Sequence, residues 1–189
     1  MALPPLILAS ASPRRAELLT QLGVRFRVVV SHAAEAHAGQ FTAREQALVN
    51  AHRKARTVAK TLPDELVLAA DTLVFQGTRL FGKPASRAEA EQMLRALQGA
   101  SHQVVTAVCL VQLREHRERL FAEITDVRFR PLDDPAIGRY LDRIDPLDKA
   151  GAYAIQEHGD WIVEEVFGSF TNVVGLPLER VRAELEQWP

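Results

Sequence analysis

The order of apolar and polar residues in the first part of the chain predicts a strand, a helix and a second strand. An apolar run at 6–9 has the length of a short buried strand. Ser12 followed by Pro13 is typical of a helix start, because Pro lacks the N–H that the first helical turn leaves unbonded. Gly23 can end that helix, and residues 25–30 form the next strand-like run.

A longer helix and a third strand are predicted after a polar loop. Thr42 and Glu45 form the capping-box pattern of a helix N-terminus, and the apolar stripe behind them reaches about Lys60. Residues 66–70 are apolar without alternation, as in a strand that is covered on both faces. Because Asp71 comes next, we expect this carboxylate at the carboxyl end of a buried strand.

The rest of the chain predicts a hairpin near Gly77 and then three more helices and three more strands. The predicted strands are 102–113, 118–130 and 161–167, and the helices begin at Ser86, Pro135 and Pro177. The first two of these strands are expected to pair antiparallel, because a short charged turn joins them. Early strand–helix alternation followed by such a pair predicts a mixed α/β sheet in a single domain, residues 1–189.

Composition and charge exclude several classes of protein. The chain has 189 residues, of which 47% are hydrophobic and 25% charged, so it is neither disordered, collagen-like nor a coiled coil. Lys and Arg number 23 against 24 Asp and Glu, a formal net charge of -1. Such a balance lacks the basic face that non-specific binding of nucleic acid requires, so we expect no nucleic-acid partner.

Two features predict a cytoplasmic protein. The single cysteine, Cys109, cannot form an internal disulfide, which favours a reducing compartment, and its apolar neighbours predict a buried thiol. No apolar stretch reaches membrane-spanning length, and the run at 6–9 lacks the basic segment of a signal peptide. We therefore expect no membrane partner.

The segment 10–15, Ser-Ala-Ser-Pro-Arg-Arg, joins a predicted buried strand to a helix start. The unbonded N–H groups and the positive dipole end of a helix N-terminus favour a phosphate there. The hydroxyl of Ser10 and the guanidinium groups of Arg14 and Arg15 would strengthen such a site, because Arg can bind phosphate through two hydrogen bonds. A capped helix with a solvated arginine pair is the alternative.

Asp71, Lys54 and Lys83 are further candidates. A carboxylate at a strand end stands where open α/β sheets bind ligands, so Asp71 either holds a cation or activates water, or it only caps a turn. Lys54 lies beside the apolar stripe of its helix, where its ammonium group reaches either water or a cleft. Lys83 is constrained by Gly82 and Pro84 on either side.

Two loops of small residues complete the candidates. In the loop 146–156, Gly and Ala allow a ligand to approach the backbone, while Lys149 offers charge and Gln156 an amide. A packed loop with a surface ion pair would explain the same residues. The polar segment 168–177 leads into a helix, so it is either a second anion site or a plain connection.

These segments together resemble the Maf family of nucleotide pyrophosphatases. The matching segments follow the family's order and spacing over nearly the whole chain, and they are 10–15, 70–72, 82–84, 148–156 and 168–177. Five matches in register are far more specific than any one of them. The resemblance implies an elongated α/β fold similar to that of inosine triphosphate pyrophosphatases, with a twisted mixed sheet, flanking helices and a central cleft between two lobes.

The resemblance also implies an activity. Family members hydrolyse nucleoside triphosphates to the monophosphate and pyrophosphate with a divalent metal, Mg²⁺ or Mn²⁺, and are often homodimers. Arg14, Thr72 and Gln156 match the three positions typical of the subgroup that acts on dTTP and UTP. The subgroup that acts on 7-methyl-GTP has Trp, Gln and Glu at these positions.

Site residues are implied in the same way. Asp71 is the expected catalytic residue, the proton acceptor for the water that attacks the α-phosphorus, and it shares the metal with Glu35. The expected substrate-binding residues are Ser10, Arg14, Arg15, Lys54, Thr72, Lys83, Lys149 and Gln156. The family usually has an acidic run of the Asp-Ile-Asp-Glu type where residues 33–36 read Ala-Ala-Glu-Ala, so we expect a modest metal affinity.

Two other functions fit the same sequence. The family has been linked to septum formation, so a non-catalytic nucleotide-binding or cell-division regulatory protein is one alternative, which the depleted acidic run leaves open. A pyrophosphatase with broader or purine-directed specificity is the other. Incubation with a panel of nucleotides and Mg²⁺ distinguishes all three.

Overall fold

The computed structural model describes residues 5–36 and 40–189, and within them it contains seven strands and six α-helices. The strands are β1 (Leu6–Leu8), β2 (Phe26–Val28), β3 (Leu66–Gln76), β4 (Arg79–Phe81), β5 (Ser101–Gln112), β6 (Arg117–Phe129) and β7 (Val163–Phe167). The helices are α1 (Pro13–Gln21), α2 (Ala43–Ala59), α3 (Arg87–Leu97), α4 (Asp134–Leu141), α5 (Phe170–Val174) and α6 (Leu178–Glu186).

The strands form one mixed sheet in the order β2-β1-β3-β5-β6-β7, with β4 paired to β3. β1 is parallel to both β2 and β3, whereas β4 is antiparallel to β3 and β7 is antiparallel to β6. The mixed α/β sheet predicted from the sequence is confirmed. β1 is apolar throughout because it lies between two strands and all three of its residues are buried.

The predicted helix starts are confirmed, and their capping explains them. α1 begins at Pro13, and α2 begins behind a complete capping box. In that box the Glu45 N–H donates to the Thr42 hydroxyl at 3.2 Å, and the Thr42 N–H donates to the Glu45 carboxylate at 2.9 Å. Two donors that the first turn would leave unbonded are thereby satisfied, which fixes where α2 begins.

The expectation that β3 ends at Asp71 is wrong. The strand continues to Gln76 and turns there into β4, so Asp71 lies in the middle of an eleven-residue strand. The residues that follow Asp71 are Thr-Leu-Val-Phe, which are mostly β-branched or aromatic and favour extended backbone. The charge of Asp71 does not end the strand, because Lys54 and Asn50 on α2 donate hydrogen bonds to its carboxylate. A second difference is α5, which occupies part of the segment 168–177 that was expected to be a loop.

The chain divides into two compact units. The first comprises Met1–Asp71, Thr106–Glu123 and Gly175–Pro189, and the second comprises Thr72–Val105 and Ile124–Val174. The assignment of residues 1–189 to a single domain stays a prediction. The second unit has an apolar core whose largest fully buried side chains are Phe81, Leu94, Leu97, Phe129, Ile137 and Tyr140.

Cys109 is buried in β5, as predicted, and burial raises the pKa of its thiol to about 12. The thiol is therefore protonated at physiological pH and behaves as a small apolar side chain. Among the described residues, no helix has the length and apolarity needed to cross a membrane.

Candidate active site

Asp71 is a buried carboxylate with a donor on each oxygen. Only 6% of its side chain is exposed. The Lys54 ammonium group donates to Oδ1 at 2.6 Å, and the Asn50 amide donates to Oδ2 at 3.1 Å. Both donors lie on α2, four residues apart and therefore on one face of the helix. A charge in the middle of a buried strand is stable only with such partners, so the two donors on α2 stabilise the Asp71 carboxylate at this position.

Lys54 joins the two carboxylates that the sequence analysis assigned to a metal. Its ammonium group also donates to Glu35 Oε1 at 2.7 Å, and 16% of the Lys54 side chain is exposed against 46% for Glu35. The structure thus brings Glu35, Lys54 and Asp71 together, although they are far apart in the sequence. One cation between two carboxylates leaves this group with a surplus of negative charge.

Asn50 is a residue of the site that the sequence analysis missed. It is 1% exposed, and besides its bond to Asp71 it accepts a hydrogen bond from the Ala36 N–H at 2.7 Å through Oδ1. Asn50 therefore fixes both Asp71 and the backbone next to Glu35. The signal was present in the sequence, because an Asn within an apolar helical stripe needs buried partners.

Ser10, Arg14 and Arg15 form the second group. Arg15 donates from Nε to the Gly175 carbonyl at 2.9 Å and from Nη1 to the Ser10 hydroxyl at 3.2 Å. Ser10 Oγ also accepts from the Ser12 N–H at 3.2 Å. Burial lowers the pKa of the Arg15 guanidinium, the Asp71 carboxylate opposes this, and the Arg14 charge lowers the pKa further. Arg15 therefore interacts electrostatically with both Asp71 and Arg14 at the start of α1.

In the second unit, the structure brings together Lys149 and Gln156. The Lys149 ammonium group is buried, and it donates to the Asp145 carbonyl and to the Asp148 carboxylate, each at 2.7 Å. It also lies 3.6 Å from Glu157 Oε2. Gln156 is exposed and donates from Nε2 to Glu157 Oε1 at 3.2 Å.

Lys83 lies next to the turn at Gly151, and Thr72 lies on β3, the strand whose Val74 is close to this turn. The Gly151 N–H donates to the Gly82 carbonyl at 3.0 Å, which places exposed Lys83 one residue from the contact. A Cβ at Gly151 would be 3.1 Å from Val74 Cγ1, and its φ of +71° also favours glycine. Thr72 shares a face of β3 with Val74 because side chains alternate along a strand.

The segment 168–177 contributes a buried structural amide. Asn172 donates from Nδ2 to the Val104 carbonyl and to the Thr125 hydroxyl, both at 3.0 Å. These bonds attach α5 to β5 and β6. The Gly175 carbonyl connects this segment to a candidate site residue, because it accepts a hydrogen bond from Arg15.

The residues near Asp71 are chemically suited to a hard divalent cation that is delivered with a phosphate ligand. Within residues 5–36 and 40–189, no three His, Cys, Asp or Glu side chains form a group that could hold a metal by themselves. Mg²⁺ is commonly held by one or two carboxylates, with phosphate oxygens and water completing the coordination. Glu35 and Asp71 supply that number of carboxylates.

Comparison with known proteins gives one family. The family model described as "Maf-like protein" matches residues 5–188. A dTTP/UTP pyrophosphatase of Halalkalibacterium halodurans is 49% identical over 95% of this chain and 94% of the relative. Proteins of the same name from Pelotomaculum thermopropionicum and Bacteroides fragilis are each 43% identical, over 97% and 96% of this chain and 96% and 95% of the relatives.

Solved structures show the same fold at low sequence identity. A Staphylococcus aureus Ham1 protein aligns with a TM-score of 0.57 and 16% identity over 96% of this chain and 98% of the other. A HAM1 protein from Coxiella burnetii aligns with a TM-score of 0.53 and 15% identity over 98% and 100%. These matches, together with the mixed sheet and its flanking helices, confirm the α/β fold class predicted from the sequence.

Proposed function

Because the chain belongs to the Maf-like protein family, we propose that it is a nucleoside triphosphate pyrophosphatase that acts on dTTP and UTP. It hydrolyses them to the monophosphate and pyrophosphate by attack of water on the α-phosphorus. The observation that carries the proposal is Asp71, a buried carboxylate that is held by Lys54 and Asn50 and interacts electrostatically with Arg15. The names of relatives 41–49% identical to this chain support the substrates.

The cations bind the triphosphate. Arg14 and Arg15 stand in the first turn of α1, where the N–H groups of the helix also favour an anion. Arg15 is held by Ser10 and Gly175, so its guanidinium is already oriented before substrate arrives. Lys54 and Lys83 add positive charge. Neutralising the phosphates reduces their repulsion of the attacking oxygen, which gains negative charge as water loses its proton.

Asp71 acts as the proton acceptor for the attacking water. Its two oxygens accept hydrogen bonds from Lys54 and Asn50, which fixes the plane of the carboxylate. Glu35 and Asp71 would hold Mg²⁺ or Mn²⁺, and such an ion supplies charge neutralisation at the phosphate oxygens when it is bound. Asn50 keeps the backbone beside Glu35 next to Asp71.

Base recognition is assigned to Arg14, Thr72 and Gln156. Uracil and thymine present an acceptor, a donor and an acceptor along their pairing edge, and a glutamine amide can meet the donor and one acceptor together. Lys149 was expected to contact the substrate, but its bonds to Asp145 and Asp148 support a role in holding the 145–157 loop.

The same proposal includes the compartment and the oligomeric state. The enzyme acts in the cytoplasm, together with its substrates, and it is a homodimer.

The experiment that tests the proposal is a nucleotide panel. Purified protein with Mg²⁺ should release pyrophosphate from dTTP and UTP with a kcat/KM at least tenfold above that for CTP, GTP and 7-methyl-GTP. The reason is that a bound base shields these polar groups from water, so a base that leaves them unpaired costs ~1–3 kcal/mol. Coupled phosphate detection with and without inorganic pyrophosphatase separates pyrophosphate release from stepwise loss of phosphate.

Three outcomes of the panel have distinct meanings. Release of orthophosphate alone would contradict attack at the α-phosphorus. GTP or 7-methyl-GTP as the best substrate would contradict the assigned specificity. Tight nucleotide binding without any product would favour the non-catalytic regulatory protein.

Metal dependence is the second prediction. EDTA should abolish pyrophosphate release, and Mg²⁺ or Mn²⁺ should restore it, because two carboxylates with phosphate oxygens favour a hard cation. The metal concentration for half-maximal activity should be high, since residues 33–36 provide a single carboxylate. A metal titration after dialysis against EDTA measures both effects, and turnover that survives chelation would contradict the metal site.

A further inference from the structure

We infer that Glu157, held by Lys149, fixes the amide of Gln156 in the orientation that accepts uracil or thymine and rejects cytosine. The inference rests on the proposed function, and it assigns base selectivity to a pair of residues behind Gln156. Glu157 does not contact the base in this scheme, so it is a positioning residue.

The contacts form a chain of three side chains within the second unit. Gln156 Nε2 donates to Glu157 Oε1 at 3.2 Å, and Glu157 Oε2 lies 3.6 Å from the Lys149 ammonium group. Lys149 is only 6% exposed, and its other contacts are the Asp145 carbonyl and the Asp148 carboxylate. Each Glu157 oxygen therefore has its own partner, which restricts rotation of the carboxylate.

The contacts from Lys149 through Glu157 to Gln156 determine which end of the Gln156 amide turns away from the base. A carboxylate has no hydrogen to donate, so the group that faces Glu157 must be the amide NH₂ and not the amide oxygen. Rotating the amide by half a turn would place its carbonyl oxygen against the carboxylate, losing a hydrogen bond and adding repulsion. A glutamine without this neighbour would rotate freely to suit either pyrimidine.

The fixed orientation matches one pyrimidine edge. With one N–H used by Glu157, Gln156 still presents its carbonyl oxygen and its second N–H. These groups pair with the N3–H and a carbonyl of uracil or thymine. Cytosine presents an unprotonated N3 and an amino group, so it would meet the carbonyl oxygen with an acceptor and the N–H with a donor.

Hydrogen bonds hold the backbone before Gln156 in place, so the Gln156 side chain projects from a defined position. The Ala154 N–H donates to the Tyr140 hydroxyl at 3.0 Å, and that hydroxyl donates to the Ala154 carbonyl at 3.2 Å. The Tyr153 hydroxyl is hydrogen-bonded to His102 Nε2 at 2.9 Å. All of these side chains are buried, so the loop presents Gln156 from a fixed position.

The test compares Glu157→Gln with the matched control Glu165→Gln. Glu165 is an exposed glutamate on β7 that is paired with Arg128, so its variant makes the same chemical change away from the loop. Because an amide at 157 can donate as well as accept, it permits both orientations of Gln156. The ratio of kcat/KM for UTP to that for CTP should fall about tenfold in Glu157→Gln and stay at the wild-type value in Glu165→Gln.

Two further readouts separate positioning from general damage. The ratio for UTP against GTP should not fall in Glu157→Gln, because guanine presents the same adjacent carbonyl and ring N–H as uracil, so the orientation of the amide does not distinguish them. Glu157→Asp, which keeps a carboxylate, should recover part of the UTP to CTP ratio. Circular dichroism and thermal melting confirm that each variant is folded.

Binding of UMP and CMP by calorimetry distinguishes failure of this inference from failure of the proposed function. An unchanged UTP to CTP ratio and an unchanged UMP to CMP affinity ratio in Glu157→Gln would overturn the inference, whatever the activity. A wild-type protein that hydrolyses no triphosphate would refute the proposed function. A UMP preference that depends on Glu157 would sustain the inference even then.

Discussion

Replacing Asp71 with asparagine should lower kcat for dTTP and UTP by about 10²–10⁴-fold, the range typical of losing a general base. An amide has nearly the shape of the carboxylate but cannot accept a proton from water. Lys54 and Asn50 both donate to the present carboxylate, so an amide NH₂ would face one of these donors. That mismatch should also reduce the free energy of unfolding by about 1–3 kcal/mol. Steady-state kinetics and guanidinium titration measure the two effects.

Asp64→Asn provides the control for this variant. Asp64 precedes β3, is largely exposed and pairs with Arg114, so the same substitution there changes a surface ion pair and not the candidate site. We expect its kcat to equal that of the wild type. A folded Asp71→Asn protein with near-normal kcat would remove Asp71 from the proposed mechanism.

Replacing Lys54 with methionine should lower kcat/KM by about 10²–10³-fold, as when one charge-stabilising donor is removed from an active site. Methionine is an unbranched side chain one heavy atom shorter than lysine, and it leaves Glu35 and Asp71 without the cation between them. Since Asp71 is buried, breaking this pair should also destabilise the protein by roughly 3–5 kcal/mol. The activity should therefore be measured well below the melting temperature of the variant.

Lys60→Met, at the exposed end of α2, is the matched control and should retain wild-type kinetics. The double variant that combines Lys54→Met with Asp71→Asn should be little slower than Asp71→Asn alone, because Lys54 and Asp71 act as a unit. Fully additive losses would show instead that Lys54 and Asp71 serve separate steps.

The elements of the fold were largely readable from the sequence because their signals are local. The capping box of Thr42 and Glu45 satisfies its own backbone donors, so it marks the start of α2 in any tertiary context. The apolar run before Asp71 likewise predicted a buried strand. Its end was misplaced because the charge of Asp71 was taken as a boundary, whereas partners on another element make that charge compatible with a strand.

The candidate site was predicted in part, and the division has a physical reason. The residue types and the motif order identified Asp71, Lys54, Glu35 and the arginines, because phosphate chemistry requires cations and a carboxylate. The sequence did not identify Asn50, whose role depends on two hydrogen bonds to residues far along the chain. Nor did it identify Glu157 as the neighbour that orients Gln156.

By itself, the sequence determined most of the elements, though not α5 or the second half of β3, and it determined that they build a mixed α/β sheet and which family carries these motifs. Propensity, capping and apolar periodicity act over a few residues, so they can be read in order along the chain. Only the tertiary structure decided that one ammonium group joins Glu35 to Asp71, that Asn50 holds Asp71 from the other side, and that the ammonium of Lys149 is occupied by its own loop. Hydrogen bonds between distant residues depend on distances of a few ångströms, which folding sets and residue order alone does not express.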